Sequence, residues 1–391
     1  VEPLHGRIRD YAWGSRTVLA QLQGRPAPSA GPEAELWLGA HPGDPSTVHR
    51  GGAPLSLVDA FATDPGRWLG ADVIDRFGQR LPFLLKVLAP EAPLSLQAHP
   101  DAEQARAGYA AEMTDPELTH RNYVDPYHKP ELLVAVSPFQ ALCGFRDPKL
   151  SADLLDAFGV AALDPVVDAL RAGTDGLREA VRTLLGWPVP DRAALVAAVV
   201  AADLPEQYAQ AGALVRDLAG RYPADPGVLV ALLLNHVSLA PGEAIWMPAG
   251  NLHAYLYGAG VEILAASDNV LRGGLTPKHV DVPELLRVLR FEVLVDPVVP
   301  PVPVTPGVVT WPVPVDDFAL HGVRLGEAVG SARIELRGPR IALCLAGEVT
   351  VADGAGSARL GPGQSAIGPA DGGPLTVSGT GEVYVASVGL G

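Results

Sequence analysis

The chain has 391 residues, of which 48% are hydrophobic and 19% charged, with a formal net charge of −15. That length exceeds what one core fills and that composition excludes a mainly disordered protein, so two or three folded domains are expected. The acidic balance has no Lys/Arg run to offset it and argues against nucleic acid or an anionic membrane as partner. A small anion could still be held by a few cations focused in one cleft.

Residues 1–146 alternate short apolar runs, such as Glu35-Leu36-Trp37-Leu38-Gly39 and Phe83-Leu84-Leu85-Lys86-Val87-Leu88, with Pro, Gly and Asp clusters, which predicts closely spaced strands. Over 147–236 the text changes to Ala, Leu, Asp and Arg with three- and four-residue apolar spacing, which predicts a helical insertion. Strand-like text returns over 237–294. A Pro-rich crossing segment then opens 295–391, where β-branched runs and Gly-rich turns predict a second, smaller β domain. The fold class is therefore mainly β with a helical insertion.

Three passages carry ligand-type residues. In Pro93-Leu94-Ser95-Leu96-Gln97-Ala98-His99-Pro100, strand alternation sends Ser95, Gln97 and His99 to one face and the apolar residues to the other. A buried, hydrogen-bonded structural histidine explains this pattern too. In His128-Lys129-Pro130-Glu131-Leu132-Leu133, Lys129 and Glu131 share a face at the entry to an apolar strand, as a surface ion pair also could. In the third, Gly242, Pro248, Gly250 and His253 resemble the second motif of the cupin superfamily, where a Pro-x-Gly turn delivers a histidine to the barrel interior. Tyr257 stands where the general cupin motif has Asn. Two imidazoles, a carboxylate and an amide oxygen form a set open to Zn, Mn, Fe or Co.

Cys143 and Cys344 are the only cysteines and lie far apart, which suggests neither a disulfide framework nor a thiolate metal site and fits a reducing cytoplasm. No basic region followed by an apolar run opens the chain, and no segment has the roughly 18 apolar residues of a membrane helix, so no membrane partner is expected.

Four passages resemble type I mannose-6-phosphate isomerase: Tyr11-Ala12-Trp13-Gly14, Gln97-Ala98-His99-Pro100-Asp101, His128-Lys129-Pro130-Glu131, and the stretch from Ala266-Ser267-Asp268-Asn269 through Arg272-Gly273-Gly274-Leu275-Thr276-Pro277-Lys278. The resemblance implies a cupin-type jelly roll with a smaller C-terminal cupin-like β domain. It implies one zinc ion per chain, on Gln97, His99, Glu131 and His253, and interconversion of mannose 6-phosphate and fructose 6-phosphate. Arg272 and Lys278, with Ser95, are implied for the phosphate and Trp13 for a pocket wall. Proton transfer falls to Lys129, His128 or Glu262, and Asp268 either assists ring opening or orients Arg272. A cupin metal oxygenase and a non-catalytic sugar-phosphate-binding protein are the competing readings. The partner is then a small sugar phosphate, and a monomeric enzyme in the cytoplasm is expected.

Overall fold

Alternation along short strands sorts the chain into layers. In the computed structural model, which describes residues 1–390, the strand Glu131–Ala135 is buried throughout. Leu132 and Val134 join one apolar cluster with Leu36, Leu85, Val87, Val261 and Ile263. Leu133 and Ala135 join another with Phe139, Ala141, Ile245 and Tyr255. The second cluster is the filling of a sandwich.

Seven antiparallel strands form one wall in the order Val298–Val299, Ala244–Met247, Glu131–Ala135, Gly260–Ala265, Phe83–Leu88, Glu35–Leu38 and Arg7–Arg9. Five more face it in the order Leu234–Leu239, Phe139–Phe145, His253–Tyr257, Leu96–Ala98 and Leu271–Gly274. Register brings Glu131 opposite Met247 and Leu264, and Glu262 opposite Lys86, on the first wall. On the second, His253 and Arg272 both lie opposite Gln97. This is the jelly-roll sandwich expected from the sequence.

The outer face of the five-stranded wall is covered by helices Pro148–Ala157, Asp164–Arg171, Thr174–Leu185, Arg192–Ala201 and Ala209–Arg221. Leu177, Val181 and Leu184 form one helical stripe and share a core with Leu96, Ala98, Ala254 and Leu256. Asp147 starts the first of these helices by accepting hydrogen bonds from the Lys149 and Leu150 amides, with Pro148 in the first turn.

Helices Leu57–Thr63, Pro65–Leu69, Ala71–Phe77 and Ala102–Thr114 interrupt the first 146 residues, which the sequence reading took as strands and turns. Three of the four carry cap signals: Ser56 and Asp64 accept from the first turn, and Asp101 with Gln104 forms a capping box, whereas Ala71–Phe77 follows Gly70 without a side-chain cap. Among the described residues, no single helix is long and apolar enough to cross a membrane.

A nine-stranded C-terminal sheet is built on the long strands Arg340–Asp353 and Leu375–Ser387. Its edge is the first strand of the chain, Glu2–Leu4, paired antiparallel with Ser365–Gly368. Phe318, Leu320, Ile341, Leu343 and Tyr384 pack this sheet against the outer face of the seven-stranded wall.

Candidate metal centre and active site

Three inward side chains converge between the walls. Glu131 Oε1 lies 3.4 Å from His99 Nε2, Glu131 Oε2 lies 3.2 Å from His253 Nε2, and all three residues are buried. His99 Nδ1 is 2.7 Å from the Asn269 carbonyl oxygen, and His253 Nδ1 is 3.0 Å from that of Asn251. A carbonyl only accepts, so each Nδ1 carries a proton, and Nε2 is the ring atom left to ligate a metal. Burial pushes His99 down to about 4, which opposes an imidazolium. His99 Nε2, His253 Nε2 and Glu131 Oε2 are left without hydrogen-bond partners.

Three buried acceptors aimed at one another repel unless a cation sits among them. Their ligand atoms lie within 4.8 Å of one another, and two imidazoles with a carboxylate suit a divalent transition metal. Burial works against ionising Glu131, but its contacts with His99, with Lys129 Nζ 3.3 Å away, and with His253 outweigh it and hold the carboxyl well below the usual range.

Beside the triad is a second buried network. Lys86 Nζ lies 3.5 Å from both Glu35 Oε2 and Glu262 Oε2, and Tyr255 donates its hydroxyl to Glu262 Oε1 at 2.7 Å. The Trp37 indole N–H donates to Glu35. Burial lifts Glu262 to about 7, with Glu131 adding to the rise and Lys86 opposing it. Burial also penalises the Lys86 ammonium, but Glu35 and Glu262 more than offset this and raise it.

Both networks open into one cleft of about 640 Å³. Trp13, Ser95 and Gln97 line it together with Lys129, Glu131 and Glu262 and with Asp268, Arg272 and Lys278. Burial works against the Arg272 charge, yet among the described residues neither Arg272 nor Lys278 has a carboxylate partner. A half-buried Arg272 and an exposed Lys278, both unpaired and lining one cleft, favour an incoming anion.

Asp268 does not pair with Arg272. Its Oδ2 accepts from His41 Nε2 at 2.7 Å, and His41 Nδ1 accepts the Gly43 amide at 3.1 Å, which places the ring proton on Nε2. Burial opposes the Asp268 charge, but the His41 bond prevails and lowers its pKa. His128 is not among the cleft-lining residues. Its ring points away from the face that Lys129 occupies and meets Asp317 Oδ2 at 3.0 Å. Of the three proton-transfer candidates, Lys129 and Glu262 share the cleft.

Residues 1–148 match the family model described as phosphomannose isomerase type I, catalytic domain. Over 392 residues, 98% of each chain, the protein is 38% identical to mannose-6-phosphate isomerase of Escherichia coli (strain K12). It belongs to the type I mannose-6-phosphate isomerase family. The Bos taurus mannose-6-phosphate isomerase is 32% identical over 381 residues, 90% of this chain and 88% of its own. Two crystal structures of phosphomannose isomerase from Salmonella typhimurium, an arginine-to-alanine and a glutamate-to-alanine mutant, superpose with a TM-score of 0.90. They are 36% and 35% identical, covering 100% of this chain and 99% of theirs.

As a member of this isomerase family the chain is an enzyme on a cupin fold, which sets aside the oxygenase and non-catalytic readings. The sequence reading passed over Lys86, Glu35, Tyr255 and His41. Lys86 was detectable, because a lysine inside an apolar strand buried at every position must be paired. Glu35, at the edge of its apolar run, and Tyr255, two residues after His253, carry the same alternation signal more weakly. His41 has none, since only the fold brings it to Asp268.

Proposed function

We propose that this chain interconverts mannose 6-phosphate and fructose 6-phosphate, using one zinc ion held by Gln97, His99, Glu131 and His253. One juxtaposition carries the reading: a buried cluster of unsatisfied ligand atoms opens into the same cleft as two unpaired cations. The first suits a divalent metal and the second a phosphate, and a phosphorylated sugar presents its oxygens to both. Gln97 joins the proposed ligand set on the strength of its register, directly opposite His253 in the ladder and so on the same face of the sheet.

When bound, zinc supplies positive charge that stabilises negative charge developing on substrate oxygens. The chain's own residues do the rest. Arg272 grips the phosphate through its planar donor fork, Lys278 adds a mobile charge and Ser95 a hydroxyl. Binding at that remote group holds C1 and C2 in place. Trp13, stacked on Tyr11, walls the sugar. Asp268, oriented by His41, takes the anomeric hydroxyl proton as the C1–O5 bond breaks and returns it to the ring oxygen, leaving the open-chain aldehyde.

Glu262, lifted to about 7, is poised both to accept a proton from one carbon and to return it to the next, through an enediol-like intermediate. Lys86 and Tyr255 hold its carboxyl in place, and the Lys129 ammonium donates to the developing oxyanion. All of these residues come from one copy of the chain, so a monomer suffices.

Metal analysis of the purified protein, run beside a coupled assay for mannose 6-phosphate conversion, tests this. Stoichiometric zinc and chelator-sensitive turnover are the expected result. Stoichiometric iron, with no isomerisation after zinc is restored, would overturn it.

A further inference from the structure

The segment 127–130, which carries Lys129, has no strand ladder of its own, since the neighbouring strand begins only at Glu131. Its position is set by ties on its sides. The Tyr127 carbonyl accepts from Ser267 Oγ at 3.1 Å and Asn269 Nδ2 at 2.9 Å. The Tyr127 ring lies 3.6 Å from the Arg80 guanidinium. The Pro130 carbonyl accepts the Ala265 amide at 3.1 Å. Between these ties, Lys129 turns into the cleft and His128 turns the other way, as successive residues of an extended chain must.

What His128 meets is the turn that leads into the strand Ala319–Leu325 of the C-terminal sheet. Residues 316–318 are stapled one by one to the jelly roll: Asp316 pairs with Arg76 at 2.9 Å, Asp317 with His128 at 3.0 Å, and Phe318 packs edge-on to Trp246 at 6.3 Å between ring centres. Trp246 sits opposite Leu132, on the strand beside the one that begins at Glu131. The Asp317 carboxylate is 7% exposed, so it has left water for a contact on the far side of the segment from the cleft. A buried carboxylate held this way resists displacement of its partner.

We propose that the C-terminal β unit sets the position of Lys129 through this contact, with Asp317 a positioning residue that acts through His128. The inference rests on the reading of Lys129 as a cleft cation that meets the substrate. It gives the C-terminal sheet a part in turnover although none of its residues is in the cleft lining. Small displacements of a positioned group are costly in rate, so the contact acts on kcat more than on KM.

The test uses the full-length, metal-loaded enzyme. Asp317→Ala is expected to lower kcat about tenfold with KM and metal content little changed, and to speed amide exchange at residues 127–129. Asp317→Asn keeps an oxygen that accepts from His128 Nε2 and restores both readouts. Adding His128→Ala to Asp317→Ala costs nothing further.

Wild-type kcat and unchanged exchange in Asp317→Ala overturn the proposal. So does an Asp317→Asn protein as impaired as the alanine variant, or a double variant in which the two losses add. If the wild type does not convert mannose 6-phosphate, the functional reading fails on its own, and exchange at residues 127–129 still decides the contact.

Discussion

Glu262 is a carboxyl whose surroundings hold its ionisation near neutrality. Its folded pKa, raised by burial from 4.5 to about 7, means that the folded protein binds the proton more tightly than the unfolded chain. The stability it contributes is therefore present in full below about pH 4.5 and is lost as pH rises towards about 7. In metal-free protein, Glu262→Gln removes that loss, so the urea midpoint at about pH 8, taken relative to that at about pH 5, should be higher than in the wild type. In the assay the same variant is expected to lose about 10²–10⁴-fold in kcat while keeping its metal. Arg272→Ala should also keep the metal but lose the preference for phosphorylated over unphosphorylated sugar, since hydrogen bonds to a charged group contribute about 1.5–3 kcal/mol each. Undiminished selectivity, read from kcat/KM on both sugars, would remove Arg272 from the phosphate site.

At the scale of elements, the site depends on loops braced against strands. Asn269 is fully buried: its Oδ1 accepts the Val124 amide at 2.9 Å, its Nδ2 donates to the carbonyls of Asp125 at 2.8 Å and Tyr127 at 2.9 Å, and its own carbonyl holds His99 Nδ1. One residue thus ties the loop before Lys129, through its side chain, to the His99 imidazole, through its backbone carbonyl. Asn269→Ala is expected to raise the metal Kd about 10–100-fold, measured by chelator competition. An unchanged Kd would leave Asn269 with a purely structural role. The strand alternation that faces Gln97 and His99 inward was legible in the sequence, because Leu96 and Ala98, which alternate with them, enter the helical core. The partner of His128 was not. It lies 189 residues away, beyond the reach of any local pattern.

At the scale of the whole molecule, the C-terminal sheet and the jelly roll share one apolar core, with Phe318, Leu320 and Tyr384 on one side and Leu85, Leu132 and Ile263 on the other. Phe318 is 1% exposed, so Phe318→Ala should cost about 3–5 kcal/mol, visible as a lower urea midpoint. A shift below about 0.5 kcal/mol, the usual size for a surface change, would mean that the two units do not stabilise each other there. The strand Glu2–Leu4 closes the arrangement by joining the first residues to the last sheet.

The sequence by itself determined the mainly β class, the helical run covering one wall and the inward faces of the ligand-bearing strands, because these follow from periods of two and 3.6 residues that burial imposes locally. The tertiary structure alone decided which inward residues meet. Lys86 faces Glu262, His41 holds Asp268 and Asp317 holds His128. Those pairings depend on strand register and sheet packing, which bring together side chains that no local spacing relates.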